Sequence, residues 1–461
     1  MSILTALNSA YSYEDAFGAR DCTSQAMREA VGEWFRLYYQ REATEESDPC
    51  QRIAYVIVSK LAKTAFGEYA AAGGDQFTRQ VLAALDGARK AAMQQALIGG
   101  EAWLKPVPGR NGFTFSVVRR DNALILGRDP QGVPTDLGTA ERTVEGRSFY
   151  TLLERRTVDA GGYLTLRNRL YRSETRGPLG RPVPLAELAR YGELPEEYTF
   201  PVPLGGLGLA RLKTPMENCV DGSMDGVSVY APAVGLIHNI DRNEALLNGE
   251  FERGVSRIIA SSDLLRKGKD GRRRLTDKLF VGIDDDPEAV GLTIFSPALR
   301  EQSFLARKQE YLRAAESIIG LKRGLLSEVE AAERTATEIT SSAGDYNLTI
   351  LDFQRMWEGA ARESVRLCGV LGPLYRVPGA RAASPEEISI DWGNGILYDE
   401  DKAWADYLDM VARGLLRPEV ALGWRFGLPA DTPGMLIVQH MPVGFTQMYA
   451  ERLAQLAGGA S

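Results

Sequence analysis

Apolar residues recur at helical spacing in two long blocks of the chain. In the first, Leu236, Ile240, Leu247, Phe251, Val255 and Ile258 follow one another at three, four or seven residues. In the second, Phe304, Tyr311, Ile318 and Leu325 fall seven apart, and Leu305, Leu312, Ile319 and Leu326 do the same beside them. Such spacing puts a broad apolar stripe on one side of a helix and leaves Arg307, Lys308, Arg313 and Glu316 for other faces. The pattern predicts one helix within Pro232–Ile259 and another over Ser296–Leu326, the latter about 45 Å long at 1.5 Å per residue. Helices with one long apolar seam usually bury it against neighbours, often in another subunit. Between Leu326 and Thr340 the seam stops in a stretch where Glu328, Glu330 and Glu333 outnumber Arg334. A third helical pattern follows, with Leu348, Leu351, Trp357 and Leu367 among its apolar positions.

The first half changes texture partway. Trp34, Phe35, Tyr38 and Tyr39 form an aromatic cluster that suits a helix docking face. Helical spacing covers Gln51–Tyr69 and, after a turn at Gly73 and Gly74, Gln76–Ile98, where Val81, Leu85, Ala88, Ala92 and Ala96 share a face. Gly99 and Gly100 stop that helix, since a left-handed cap favours glycine. Short strands follow at Glu101–Val107, Gly112–Val118, Ala123–Leu126 and Ser148–Arg155. Arg156–Val158 and Tyr163–Tyr171 flank Asp-Ala-Gly-Gly as a hairpin. Residues 174–206 read as a Gly- and Pro-rich loop region with a helical insert near Leu185–Tyr191. Beyond the third helix, Asp391–Tyr398 reads as strand or loop and Ala403–Leu415 as a helix. Another helix starts near Arg417, with Pro418 in its first turn, and Gln447–Ala457 is weakly amphipathic.

At 461 residues the chain exceeds one ordinary core, so several substructures are expected. Apolar content of 44% and charged content of 25% are those of a folded globular protein. A net charge of −7 argues against a protein that coats nucleic acid, which needs a basic excess to displace counterions. It leaves room for a smooth or acidic conduit, where tight binding to DNA would be a fault. Cys22, Cys50, Cys219 and Cys368 lie far apart and, with only His238 and His440 besides, offer no zinc spacing. They read as reduced, mostly buried thiols of a protein made in a cytoplasm. No signal-peptide pattern opens the chain, and no apolar run is long enough to span a membrane.

Candidate chemistry is sparse. Gly205-Gly206-Leu207-Gly208-Leu209-Ala210 lacks dinucleotide-loop spacing and reads as a turn. There is no GxxxxGK[ST] loop and no GxSxG elbow. Asp284-Asp285-Asp286 reads either as a cation site or as a solvated acidic turn before Pro287. Arg266, Lys267, Lys269, Arg272, Arg273, Arg274 and Lys278 cluster between the two long helices, with Gly268 and Gly271 marking a loop or hairpin tip. They read either as a solvated charged loop or as a docking surface for an acidic partner or for phosphates. No catalytic set, metal site or cofactor is expected.

Four strings, in order, resemble the portal proteins of tailed double-stranded DNA bacteriophages, the branch with long non-contractile tails. They are Ile98-Gly99-Gly100-Glu101-Ala102-Trp103-Leu104-Lys105, Gly226-Val227-Ser228-Val229-Tyr230, Ile294-Phe295-Ser296-Pro297-Ala298-Leu299-Arg300, and Gly324-Leu325 followed by Thr335-Ala336-Thr337-Glu338-Ile339. The resemblance spans residues 50–425. Departures from it are Ser-Glu-Val-Glu-Ala-Ala-Glu after Leu326, and residues 434–461, which match nothing in the family. It implies an α+β portal fold: wing 1–227, stem helix 228–259, clip 260–295, stem helix 296–326, tunnel loop 327–340, long helix 341–371, and a wing return with a helical crown-like region at 372–461. It further implies a virion protein without enzymatic activity, usually a ring of twelve subunits at one capsid vertex, through which DNA is packaged and ejected. Its partners would be terminase, a head–tail adaptor, the major capsid and scaffold proteins, and the double-stranded DNA in the channel. Ser327, Glu328, Glu330, Glu333 and Arg334 would then face the channel, and the basic cluster would dock partners at the clip. Phe304, Leu305, Tyr311, Leu312, Ile318 and Ile319 would pack stem helices between subunits.

Overall fold

The computed structural model describes residues 13–39, 49–254, 257–260, 265–267, 273–275, 292–295, 298–328, 336–393 and 400–425. The protein is an α+β chain that divides into two compact units. One comprises residues 1–67 and 71–390; the other comprises residues 68–70 and 391–461.

In the first unit, α1 (Tyr13–Phe17), α2 (Gln25–Tyr39), α3 (Ile53–Ala65) and the short strand β1 (Ala70–Gly73) precede α4 (Gln76–Gly99). The start and stop of α4 are set locally. Asp75 Oδ1 accepts from Phe77 N and Thr78 N at 2.9 and 3.2 Å, as an N-cap does. At the other end Gly100 turns left-handed at φ +78°. Val81, Leu85, Ala88, Ala92 and Ala96 are buried, so the spacing located the right face.

Strands follow as β2 (Glu101–Gly109), β3 (Gly112–Arg119), β4 (Ala123–Arg128), β5 (Pro134–Glu145), β6 (Ser148–Val158), β7 (Leu164–Ser173), β8 (Arg181–Val183), β9 (Glu197–Thr199) and β10 (Ala210–Lys213). One sheet has the order β4-β5-β6-β7-β8, with β9 also on β7; a smaller one is β10-β2-β3. The pairings within these two sheets are antiparallel. The expected β6–β7 hairpin is present, closed by Asp159 N to Tyr163 O at 3.1 Å. β5 escapes the sequence pattern because only Leu137 and Ala140 along it are buried apolar residues. It is an inner strand between β4 and β6, held by ladder bonds on both sides. Trp103, Ile125, Leu137, Leu207 and Leu209 form one apolar core, and Tyr150, Leu152, Leu170, Leu188 and Tyr191 another. The insert at 185–191 is two short 3₁₀ turns, not one helix.

The chain then enters α5 (Val234–Arg253), β11 (Arg257–Ala260), β12 (Leu265–Lys267), β13 (Arg273–Leu275), β14 (Leu292–Phe295), α6 (Glu301–Ile319) and α7 (Ala336–Leu374), followed by β15 (Ile388–Asp391), which pairs with β1. Both predicted stem helices are shorter than their apolar spacing implied. Ile258 belongs to a strand, not to the first helix. The second has 19 residues, about 29 Å instead of about 45 Å. Gly320, at φ +75°, ends it; its N–H bonds Ser317 O, and Leu321 N bonds Glu316 O at 2.8 Å. This paired capping pattern satisfies the last carbonyls. Leu325 and Leu326 keep the heptad rhythm but lie beyond the stop. In α7, Ile350, Phe353, Trp357, Val365 and Cys368 are buried, whereas Leu348 is exposed. Trp357 meets Phe66 edge-on at 5.4 Å, and Gln354 Nε2 donates to Ala65 O at 3.1 Å, docking α7 on α3.

In the second unit, α8 (Glu400–Ala412) packs on α9 (Pro418–Arg425), with Gly414 at φ +71° between them. Pro418 opens α9 as the spacing predicts. The expected tail helix at Gln447–Ala457 lies outside the described residues.

Candidate functional site

Helices α5 and α6 run antiparallel and are pinned along their length. Arg300 grips Glu250 through two hydrogen bonds of 3.0 and 2.8 Å. Further along, the buried Asn243 donates Nδ2 to Phe304 O at 3.0 Å. Lys308 Nζ reaches Glu244 Oε2 at 2.9 Å and Gln51 Oε1 at 2.7 Å. Lys308, off the apolar stripe, is thus half-buried between elements. Leu299 packs over Gly254, where any Cβ would crowd its Cδ2, so Leu299 and Arg300 seat the start of α6 against the end of α5.

The expected subunit-packing residues of α6 fall into three groups. Leu312 and Ile319 are buried within the chain itself. Phe304 and Tyr311 are half-buried, the latter beneath the Arg307 guanidinium at 4.5 Å. Leu305 and Ile318 remain 38% and 52% exposed.

The loop after α6 is anchored by an acid that the apolar pattern assigned to an outer face. Glu316 is 2% exposed. Its Oε1 accepts from Leu326 N and from Ser327 N, the latter at 2.9 Å, and its Oε2 accepts from Ser327 Oγ at 2.7 Å. Ser327 is therefore a buried anchor at the base of the loop, not part of its surface. Glu328 is exposed and its N–H bonds Gln309 Oε1 at 2.9 Å. Glu330, Glu333 and Arg334 lie outside the described residues. With the helix ended at Gly320, Glu316 falls in its last turn, where its carboxylate opposes the macrodipole and is held by the loop amides instead.

Between α5 and α6 the backbone makes two ribbons. β11 pairs with β14, Arg257 opposite Phe295 through Ala260 opposite Leu292, which closes the base of the excursion. β12 pairs with β13, with Arg266 opposite Arg274 and Lys267 opposite Arg273. The strands flanking the expected loop or hairpin tip pair as an antiparallel ribbon, with four basic positions in register; the tip itself, residues 268–272, lies outside the described residues. Lys269, Arg272, Lys278 and Asp284–Asp286 lie outside the described residues.

Two distant strings meet at the approach to α5. Gly226 N donates to Glu101 Oε1 at 2.6 Å. Ser228 Oγ and Val229 N both bond Leu97 O, at 3.1 and 2.9 Å, and the buried Tyr230 hydroxyl donates to Trp34 O at 2.7 Å. Glu101 is fully buried. Burial opposes its charge, but the guanidinium groups of Arg211 and Arg120 outweigh that and hold its carboxyl below the usual range. Glu154 behaves alike: burial raises its pKa, Arg156 and Lys105 lower it more, and the net value is about 2. Arg156 also donates Nη1 to Leu207 O at 2.8 Å, so the Gly205–Ala210 stretch is a turn that receives an arginine and leads into β10. Of the cysteines expected to be mostly buried, only Cys368 is; Cys50 is half-buried, and Cys22 and Cys219 lie exposed. Among the described residues no cluster of His, Cys, Asp and Glu is arranged to hold a metal, and no helix is long and apolar enough to cross a membrane.

No family model matches the chain. Short stretches are similar to protein-glutamate methylesterase/protein-glutamine glutaminases: 23 residues at 83% identity in Syntrophomonas wolfei and 30 residues at 63% in Pseudomonas aeruginosa. These cover 5% and 6% of this chain, and 7% and 9% of those proteins. The chain thus spans less than a tenth of the curated relatives it matches. Among solved structures it is similar to a chain of the neck of a native GTA particle computed with C12 symmetry. That similarity has a TM-score of 0.48 at 15% identity and covers 90% of this chain and 98% of the other.

Proposed function

We propose that the chain is a phage portal protein, one subunit of a ring at a capsid vertex that conducts double-stranded DNA during packaging and ejection. The observation that carries this reading is the division of the α6 seam. Leu312 and Ile319 are covered by the chain's own packing, while Leu305 and Ile318 on the same helix are left uncovered. In this reading neighbouring copies on either side of the subunit cover them, since at about 100° per residue the two lie roughly 140° apart around α6. The α5–α6 pair is the stem in this reading, the two ribbons are the clip, and the stretch after Ser327 is the loop towards the channel.

The basic register of β12 and β13 supports docking of an acidic surface of terminase or of the head–tail adaptor at the clip. Glu328, with Glu330 and Glu333 next in sequence, would keep the channel wall from holding DNA. The chain is read as non-enzymatic, with translocation energy supplied by a separate ATPase. Major capsid and scaffold proteins would contact the wing.

Native mass spectrometry with negative-stain electron microscopy of the purified full-length chain tests this. A closed ring of about twelve copies around a hole of about 20 Å or more, wide enough for a duplex, is the expected result. A compact dimer with no hole would overturn the conduit and leave a capsid-associated structural protein.

A further inference from the structure

Near its turn at Gly146, the β5–β6 hairpin borders a cleft of about 610 Å³, a size that suits a small ligand. The hairpin supplies Arg142 and Phe149, the connection from β7 to β8 supplies Arg176 and Pro178, and the end of β3 supplies Arg119, with Asp121 just after it. Three guanidinium groups therefore line the cleft against one carboxylate. That carboxylate is already taken. Asp121 is 1% exposed; its Oδ1 accepts from Arg119 Nε at 2.9 Å and its Oδ2 from Arg119 Nη2 at 2.6 Å.

The same two bonds fix Arg119, whose guanidinium also lies over the rings of Phe35 and Tyr39 at 5.0 Å each. Its Nη1 makes no hydrogen bond among the described residues. Arg142 is steadied by donating Nη2 to the Tyr13 hydroxyl at 2.7 Å. Arg176 is exposed and makes no hydrogen bond or ion pair among the described residues. Glu141 and Glu174, close to these arginines in sequence, do not line the cleft; Arg190 holds the first at 2.6 Å and Arg172 the second at 3.1 Å.

The donors still open are thus cationic, so a cation would gain nothing from them. An excess of two positive charges matches a dianion better than a single carboxylate. Guanidinium groups meet phosphate oxygens with paired N–H donors. Phe149 and Pro178 add an apolar wall for an organic body. We infer that this cleft binds a phosphate monoester, its head on Arg119 and Arg176 and its carbon body along Phe149 and Pro178. Such an ester has two sources, a free nucleoside monophosphate and a phosphorylated side chain of a protein. The inference does not depend on ring formation.

Calorimetric titration of the full-length chain with phenyl phosphate tests it, with benzoate as the monoanionic analogue and phenol as the uncharged one. Saturable binding is expected, tightest for phenyl phosphate and absent for phenol. It should weaken about fivefold or more in Arg176→Gln, through loss of charge-assisted hydrogen bonds. Arg110→Gln, at an exposed arginine outside the cleft, should leave it unchanged. A melting curve checks the fold of both variants. Because a phosphate monoester takes its second charge near about pH 6, affinity for phenyl phosphate should rise from about pH 5 to about pH 7.5 while that for benzoate holds steady. Tighter binding of adenosine monophosphate than of a blocked phosphotyrosine tripeptide would assign the free nucleotide, and the reverse a modified protein. No saturable binding, equal binding of benzoate or phenol, an unchanged affinity in Arg176→Gln, or an equal loss in Arg110→Gln would overturn the proposal.

Discussion

The Gly226 N–H donates to the Glu101 carboxylate at 2.6 Å across 125 residues of chain. Around that bond the end of α4 and the approach to α5 are brought so close that a Cβ on Gly100 would sit 2.2 Å from Gly226 O. Glu101 is also paired with Arg211 at 2.7 Å. Removing one partner of a buried pair leaves the rest uncompensated, so Glu101→Ala should cost about 3 kcal/mol or more. Glu101→Gln, which keeps an acceptor for Gly226, should cost less. Urea unfolding of the two variants gives the comparison, and equal costs would show that the acceptor for Gly226 contributes nothing beyond the carboxylate's charge.

Glu154 makes stability depend on acid in a defined window. Its folded pKa, about 2, lies below the ordinary 4.5, so ionisation favours the folded state. The contribution is fully present above about pH 4.5 and is lost as pH falls towards about 2. Glu154→Gln should therefore be less stable than the native chain at neutral pH, and the gap should shrink through that window. Thermal melts at steps of pH measure it; a gap that stays constant would place the ionisation elsewhere.

What was legible in the sequence is what local chemistry decides. The α4 boundaries follow from the turn at Gly73–Gly74 and from Gly99–Gly100, and the β6–β7 hairpin from Asp159–Gly162, all within a few residues. The α6 seam misled because apolar rhythm continues through Leu325 and Leu326, while the chain obeys the glycine at 320. β5 was hidden because an inner strand is held by its neighbours' backbones, which leave no mark on its own side chains. The basic hairpin was legible as a cluster, but only the register shows Arg266 opposite Arg274. The Gly226–Tyr230 string could be recognised, but its contacts with Leu97, Glu101 and Trp34 are tertiary.

Glu316 predicts the behaviour of the loop base. In Glu316→Ala the Leu326 and Ser327 amides lose their acceptor, a change of about 1–3 kcal/mol for buried donors. Hydrogen exchange at those two amides should accelerate by about tenfold or more, with little change in α7. Glu316→Gln, which retains an acceptor oxygen, should lie between. Unchanged exchange at both amides would mean that the loop base is held by something else.

Exposed Leu305 and Ile318 separate assembly from folding. Leu305→Glu with Ile318→Glu should leave the unfolding free energy of the single chain within about 0.5 kcal/mol per site, as exposed substitutions do. The same pair should abolish ring formation, because two carboxylates would have to be buried at each interface. Light scattering after size exclusion reads the second quantity and a denaturant melt the first. Rings that survive the double substitution would move the subunit interface off these two positions of α6.

The β12–β13 register sets up an opposition between stability and docking. Arg266 stands opposite Arg274, and like charges directly across an antiparallel pair destabilise it. Arg274→Glu places opposite charges there and should stabilise the hairpin by about 0.2–1 kcal/mol. If the hairpin serves only itself, that substitution is an improvement. If the clip docks an acidic partner, the same substitution should weaken capture of the terminase or adaptor while hydrogen exchange at 265–275 slows. Affinity and exchange measured on one variant therefore decide between a solvated charged turn and a docking surface: slower exchange with undiminished capture would remove these residues from the interface.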